Sequence, residues 1–370
     1  MNDSMDAREQ KKERLFSLDM LRGLDMFLLV AIGPLMRQAD AAWHFCSPGF
    51  IGQFRHNYIG FTLWDIIMPL FIFMCGAAVP FALGRRLKEG KGVFWKHILW
   101  RVLMLWFLGL LVQGRLAEFD PLTFDPFSNT LQSIAVGYLV TAVVMCIPSR
   151  AVRIAAPVAL ALVYTVLLCV GGDYSQFGNF AYKVDRAIQE AIFPAGHVRL
   201  ANPSYYTWYL TSLMFSAMTL CGYHATELLR AACSRRTKAL LLFCYAAGLL
   251  AVGFVASIWI PVIKPIFTLS FTSLAMGWCV LALAVLYVVN DIFMIRRGTW
   301  LIILFGQVAL TAYFVSHFFR PVLESFAHTV AQGILPHIAK GTQPFLLEVV
   351  IVIGTVLVMV FWRQWKSGRK

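Results

Sequence analysis

One dense polar knot stands in a chain that is otherwise largely apolar: Arg55-His56-Asn57-Tyr58, followed by Asp65 nine residues after the histidine. An imidazole near its ordinary pKa takes a proton from an amine or hydroxyl nucleophile. A carboxylate beside it fixes the tautomer and stabilises the imidazolium that forms. The spacing does not by itself join the two side chains; a break at Gly60 would, because glycine accepts the backbone angles of a tight turn into a helix. On spacing alone, His56 also reads as a solvated loop residue and Asp65 as an interhelical hydrogen-bonding post. Ionisable groups at a membrane helix are costly, so such a knot defaults to a functional site.

Other polar residues are grouped in ways that bear on binding. Asp19, Arg22 and Asp25 recur at three-residue steps and so share one side of the first apolar helix. They read either as a structural ion-pair network or as the lining of an approach for an anionic ligand. Two basic clusters, Arg85-Arg86 with Arg101 and Arg235-Arg236, have the charge to neutralise phosphates. They also serve the ordinary tasks of setting topology and touching anionic headgroups. Asn129, Gln132 and His317 lie at the ends of apolar runs, as substrate contacts or as helix caps. Trp64, with Trp43 and Tyr58, offers an aromatic face for a sugar or an interfacial anchor. The eight cysteines include no CxxC pair, and the remaining histidines form no ligand-type cluster, so no metal is expected.

The elements that must position these groups are membrane helices. The 370 residues are 59% hydrophobic and 14% charged, with mean hydropathy +0.70, where a soluble domain carries about 25% charged residues. The apolar runs are long and do not alternate, which favours helices over a barrel. The fold class expected is an all-α integral membrane bundle of about ten helices, over 15–36, 61–83, 98–114, 130–147, 152–170, 205–229, 239–260, 268–289, 300–319 and 345–362. Segment 322–338 reads as a shorter, interfacial element. Of the 32 Lys and Arg, 22 fall in one set of connections and nine in the other, with Arg22 inside the first span. The richer set belongs in the cytoplasm, which places both termini there and His56 outside. Residues 1–14 form a cytoplasmic segment, 15–362 one transmembrane domain and 363–370 a cytoplasmic tail. The net charge of +13 is accounted for by topology, so no nucleic-acid partner is invoked.

At these residues a family resemblance emerges. SLDMLRGLDMF (17–27) resembles the S-L-D-x-L-R-G-x-x-M-F opening of the heparan-α-glucosaminide N-acetyltransferase family and its bacterial transmembrane relatives. HNYIGFTLWDIIMPLFIFMCGAAVPFAL (56–83) is similar to the family's most specific block, H-x-x-W-x-G-F-x-x-x-D-L-I-F-P-L-F-L-F-I-x-G-x-x-x-P-F. LQSIAVGYL (131–139), IWIPVIKPIFTLSFTSLAMG (258–277) and LFGQVALTAYFVS (304–316) resemble later blocks in the same order.

What the resemblance implies is an acyltransferase of the bacterial inner membrane. It would pass an acetyl group from cytoplasmic acetyl-CoA to an amino sugar or other saccharide outside. The family's active-site histidine aligns with His56, as general base or transient acetyl carrier, and its aspartate with Asp65. Asn129, Gln132, His317 and Trp64 are then candidates for the acceptor. Arg22, Arg85, Arg86, Arg101, Arg235 and Arg236 are candidates for the CoA phosphates. The expected partners are membrane lipid, the saccharide acceptor and, as an open question, a second copy in a homodimer. The rival reading is a secondary transporter or permease for a sugar derivative. It is disfavoured by the position of the knot near one face and by the lack of an internal repeat.

Overall fold

Lipid offers no partner to a backbone N–H or C=O, so long apolar runs close their hydrogen bonds internally as helices. The computed structural model describes residues 15–44, 47–55, 57–114, 120, 122–193 and 206–367, with the side chains of Arg85, Lys88 and Ser367 outside that description. The described residues are helical or irregular, with one isolated bridge between Ile59 and Ile263. The first helix comprises α1 (Phe16–Phe27), a π-helical turn (Leu28–Ile32) and α2 (Gly33–Trp43). There follow α3 (Pro48–Gly52), α4 (Ile67–Glu89), α5 (Lys91–Gln113), α6 (Thr130–Met145), α7 (Arg150–Gly171) and α8 (Phe180–Ile192). The second half holds α9 (Ser212–Arg230), α10 (Arg235–Ala256), α11 (Leu269–Tyr287), α12 (Trp300–Gln307), α13 (Ala309–Phe318), α14 (Arg320–Ala331) and α15 (Gln343–Ser367).

Among the described residues, six helices are long and apolar enough to cross a membrane, or seven if α12 and α13 make one span. Each expected span falls on a helix, but three do not meet that criterion. The α1–α2 helix carries Asp19, Arg22 and Asp25, α6 has only 16 residues, and α9 carries His224, Glu227 and Arg230 in its last two turns. The expected single span at 300–319 is instead a pair bent by 79° at Val308. The expected interfacial element is α14 with a short turn at Leu335–His337, and the small helices α3 and α8 are additional.

Burial sorts the helices into an inner and an outer set. The most apolar stretches of α4 and α11 are 67% and 61% buried, against 11–22% for α5, α7, α10 and α15. The first two therefore form the centre, and the others turn apolar faces such as Leu103, Val166 and Phe254 outward. The centre closes tightly because glycines stand where helices meet. A Cβ on Gly76 of α4 would lie 1.8 Å from the Thr219 carbonyl oxygen of α9, and one on Gly222 would lie 2.0 Å from that of Phe73. Small residues at such contacts let two backbones approach, the usual device where no hydrophobic force separates helix from lipid.

Candidate active site

The knot occupies the connection between α3 and α4. The second apolar helix starts at Leu63, as a 3₁₀ turn running into α4, with Thr62 and Asp65 forming a capping box. Asp65 Oδ2 accepts from the Thr62 backbone N–H at 3.0 Å and from its hydroxyl at 2.8 Å. Gly60, with φ +113°, makes the break that precedes it, and its N–H donates to the Val262 carbonyl at 2.9 Å. Gln53 secures the other side: its carbonyl accepts from Trp64 N–H at 2.8 Å and its Oε1 from Leu63 N–H at 3.1 Å. The Tyr58 hydroxyl donates to the Tyr174 carbonyl at 3.0 Å. Residues on both sides of His56 are thus fixed in place, while His56 itself lies outside the described residues.

Asp65 is fully buried, and its Oδ1 lies 3.0 Å from Lys264 Nζ, itself almost buried. The lysine comes from a rigid platform between α10 and α11. There the Thr268 hydroxyl donates to the Pro261 carbonyl at 2.9 Å, Trp208 Nε1 donates to Pro265 at 2.9 Å, and the Tyr164 hydroxyl donates to Ile266. Burial pulls the Lys264 ammonium below the ordinary lysine range, against the opposing pull of Asp65. In the sequence Lys264 falls inside the family-like segment 258–277 and among the nine charges of the outer set, with no site role assigned. What marks it is a lone lysine in the apolar stretch WIPVIKPIF.

Asn57, Trp64, Lys264 and Pro265 line one side of a cavity of about 590 Å³. Leu29, Val30, Pro34 and Arg37 face them from the first helix. Pro34 has no N–H to give the preceding turn, and the π-helical turn Leu28–Ile32 sits just before it; such turns recur at functional sites. Gly33 lets Trp64 lie flat against this helix, since a Cβ there would fall 2.0 Å from the indole ring. The Arg37 guanidinium carbon lies 4.6 Å from the centre of that ring.

The remaining wall comes from α13 and the start of α14, through Tyr313, Ser316, His317 and Arg320. His317 stacks on Tyr313 at 4.3 Å, and its Nδ1 lies 3.0 Å from the Tyr313 carbonyl oxygen. A carbonyl only accepts, so Nδ1 carries the hydrogen and Nε2 keeps the lone pair in the neutral ring. Arg320 is engaged structurally, donating to both oxygens of the buried Glu348 at 2.9 and 2.6 Å and to Glu324 at 2.7 Å.

Of the expected acceptor residues, the cavity therefore gathers Trp64 and His317. Asn129 and Gln132 are not brought to it. They are buried and cap α6 reciprocally: Asn129 Oδ1 accepts from Leu131 N–H at 2.9 Å, and Gln132 Oε1 accepts from Ser128 N–H at 2.7 Å. Asn129 Nδ2 also donates to the Gly109 carbonyl at 2.6 Å, which ties α6 to α5. Only their neighbour Thr130 reaches the cavity.

Toward the opposite ends of the helices, Arg22 and Arg101 lie within electrostatic reach of Cys75, and Arg86 and Arg101 within that of Tyr138. Arg101 also sits over the Tyr138 ring at 4.5 Å. Arg22 pairs with Asp19 at 3.8 Å, whereas both oxygens of buried Asp25 have no hydrogen-bond partner among the described residues. Arg235 belongs elsewhere: it donates to the Asp291 carbonyl at 3.3 Å, and the Asp291 carboxylate caps the first helix by accepting from Ser17 N–H at 3.0 Å. Arg236 is exposed, and the Arg85 side chain lies outside the described set.

Two comparisons with known proteins bear on this arrangement. No curated protein matches the chain. A family model described as a domain of unknown function, DUF5009, matches residues 14–117, the stretch from the start of the first helix through the knot to the end of α5.

Proposed function

We propose that this chain is a membrane acyltransferase, carrying acetyl from cytoplasmic acetyl-CoA to an amino sugar or other saccharide on the outer side of a bacterial inner membrane. The proposal includes about ten crossings, with both termini in the cytoplasm. The observation that carries it is the cavity in which Asn57, Trp64, Lys264 and His317 meet, flanking the chain position of His56 and the buried Asp65–Lys264 pair. Trp64 supplies an aromatic face to a sugar ring. The neutral His317 supplies an acceptor at Nε2 for a hydroxyl.

His56 removes a proton from the acceptor's amine or hydroxyl, and the freed nitrogen or oxygen bonds to the acetyl carbonyl carbon. The carbon–sulfur bond breaks, and His56 returns the proton to the departing thiolate. Transfer by way of an acetyl-histidine balances equally. Asp65 acts as a positioning residue: its links to Thr62 and Lys264 hold the loop that carries His56. Arg22, Arg86 and Arg101 suit the phosphates of the donor. On α6 the buried hydroxyl of Thr141 has no hydrogen-bond partner among the described residues, and that of Tyr138, three residues before it, lies beside Arg101. The Thr141 hydroxyl is a group that a polar arm threaded between the two ends would satisfy.

The test is acetyl transfer by the purified protein from acetyl-CoA to glucosamine-type acceptors. Transfer should be lost in His56→Ala. A wild-type protein that transfers nothing, or a fully active His56→Ala, overturns the reading. One observation favours a second reading as a transporter, because the 79° break between α12 and α13 lines the same cavity and broken helices mark transporter sites. Sugar counterflow in liposomes without acetyl-CoA would select it.

A further inference from the structure

A second cavity, of about 1000 Å³, lies away from the site described above, between α7, α9, α10 and α11. At one end it is rimmed by Arg150, Arg153, His224, Glu227 and Arg230. Arg230 pairs with Glu227 at 2.9 Å, and His224 Nε2 is bonded to the Arg153 backbone carbonyl at 3.0 Å. Three guanidiniums against one carboxylate leave the rim with an excess of two positive charges, and no ion pair is formed by Arg150 or Arg153 among the described residues. The first of these arginines opens α7 and the last closes α9, so the charge sits where helices leave the hydrocarbon.

From that rim the cavity runs along the bilayer interior. Its wall on α7 extends from Arg150 to Leu162, 12 residues further along the helix, or roughly 18 Å. The lining away from the rim is mostly apolar, including Pro157, Ala161, Met218 and Leu249. Ile154, Val158 and Val252 line it while remaining exposed, so it opens sideways to lipid. A compact anion does not need an apolar slot of this length, and a neutral chain does not need the arginines.

We infer that this groove is a binding site for an anionic phospholipid. Its phosphate would lie between Arg150 and Arg153, and an acyl chain would extend along α7 between α9 and α10. Basic pockets between helices at the membrane surface hold anionic headgroups in this way. Which leaflet supplies the lipid rests on the orientation given under the proposed function; the binding itself does not.

The test uses full-length protein stripped of lipid in detergent and titrated, without any acetyl donor, with phosphatidylglycerol or phosphatidylcholine of identical chains. Bound lipid is counted by native mass spectrometry. One phosphatidylglycerol should be retained with at least about tenfold preference, and Arg150→Gln/Arg153→Gln should weaken it by about thirtyfold. Val158→Trp fills the slot from an exposed position and should displace the lipid without lowering Tm. Equal retention of both lipids would mean only annular lipid and would overturn the inference. So would unchanged binding in the double arginine variant, or displacement of the lipid by CoA or inorganic phosphate, which would make the rim a site for soluble anions. Selective lipid binding by a protein that transfers no acetyl group would leave this inference standing while the proposed activity failed.

Discussion

Asp65→Asn keeps the shape of the side chain and one oxygen to cap the helix, but it leaves the Lys264 ammonium buried without its counter-charge. Lys264 is 8% exposed and Asp65 0%, so water cannot replace the lost partner. Removing one member of a buried pair costs about 3–5 kcal/mol, mostly from the charge left behind. The retained cap places Asp65→Asn near the lower figure, about 3 kcal/mol. Lys264→Met removes the cation 3.0 Å from the carboxylate while the Thr62 donors at 3.0 and 2.8 Å stay, and should cost about the same. The double variant Asp65→Asn/Lys264→Met strands no charge. It should cost about 1 kcal/mol or less rather than the additive 6, a coupling of about 5 kcal/mol. Unfolding in detergent can be followed by thiol-reactive fluorescence, because Cys75, Cys221 and Cys279 are buried and become labelled as the bundle opens. Additive losses would mean that the two charges act independently, and would refute the account of the pair as one unit.

The same pair sets a pH dependence. Burial holds the folded pKa of Lys264 below its unfolded value, so the unfolded chain binds more protons between the two values and stability rises with pH across that window. Asp65→Asn removes the opposing pull and widens the window downward; its stability deficit against wild type should shrink as pH rises from neutral toward about 10, as measured by the same thiol assay. Gly33→Ala would place a methyl 2.0 Å from the Trp64 ring. A loss of about 2 kcal/mol is expected, partly recovered by adding Trp64→Phe; no recovery would mean that the clash lies elsewhere. Arg320→Gln leaves Glu348, 2% exposed, without its forked partner. Because the arginine is itself about a third exposed, a loss of about 2 kcal/mol is expected, together with faster hydrogen exchange over Arg320–Ala331.

Helices are legible in this sequence because hydrocarbon leaves the backbone no alternative, and each apolar run accordingly coincides with one. What the runs do not state is how a helix is interrupted. The bend at Val308 follows from no proline, whereas the π-helical turn Leu28–Ile32 sits just before Pro34, which has no N–H to donate. The break at Gly60 was legible, since glycine at a helix entrance has a local physical meaning. Asn129 and Gln132 illustrate the opposite case. Their spacing was compatible both with a capping box and with ligand contacts, and only their burial and the bond to Gly109, 20 residues away, decides for the cap. Lys264 lies 199 positions from Asp65, so no local pattern joins them; the pairing follows from the need to neutralise a buried carboxylate, once the fold has brought the α10–α11 platform against the knot. That dependence explains why the functional hypothesis and the fold meet at this pair. The residues flanking His56 are held by bonds to Gln53 just after α3, to Val262 in the α10–α11 connection and to Tyr174 in the α7–α8 connection. The described residues on either side of His56 are thereby anchored over a buried charge pair and beside a cavity, as a functional loop on a rigid scaffold would be.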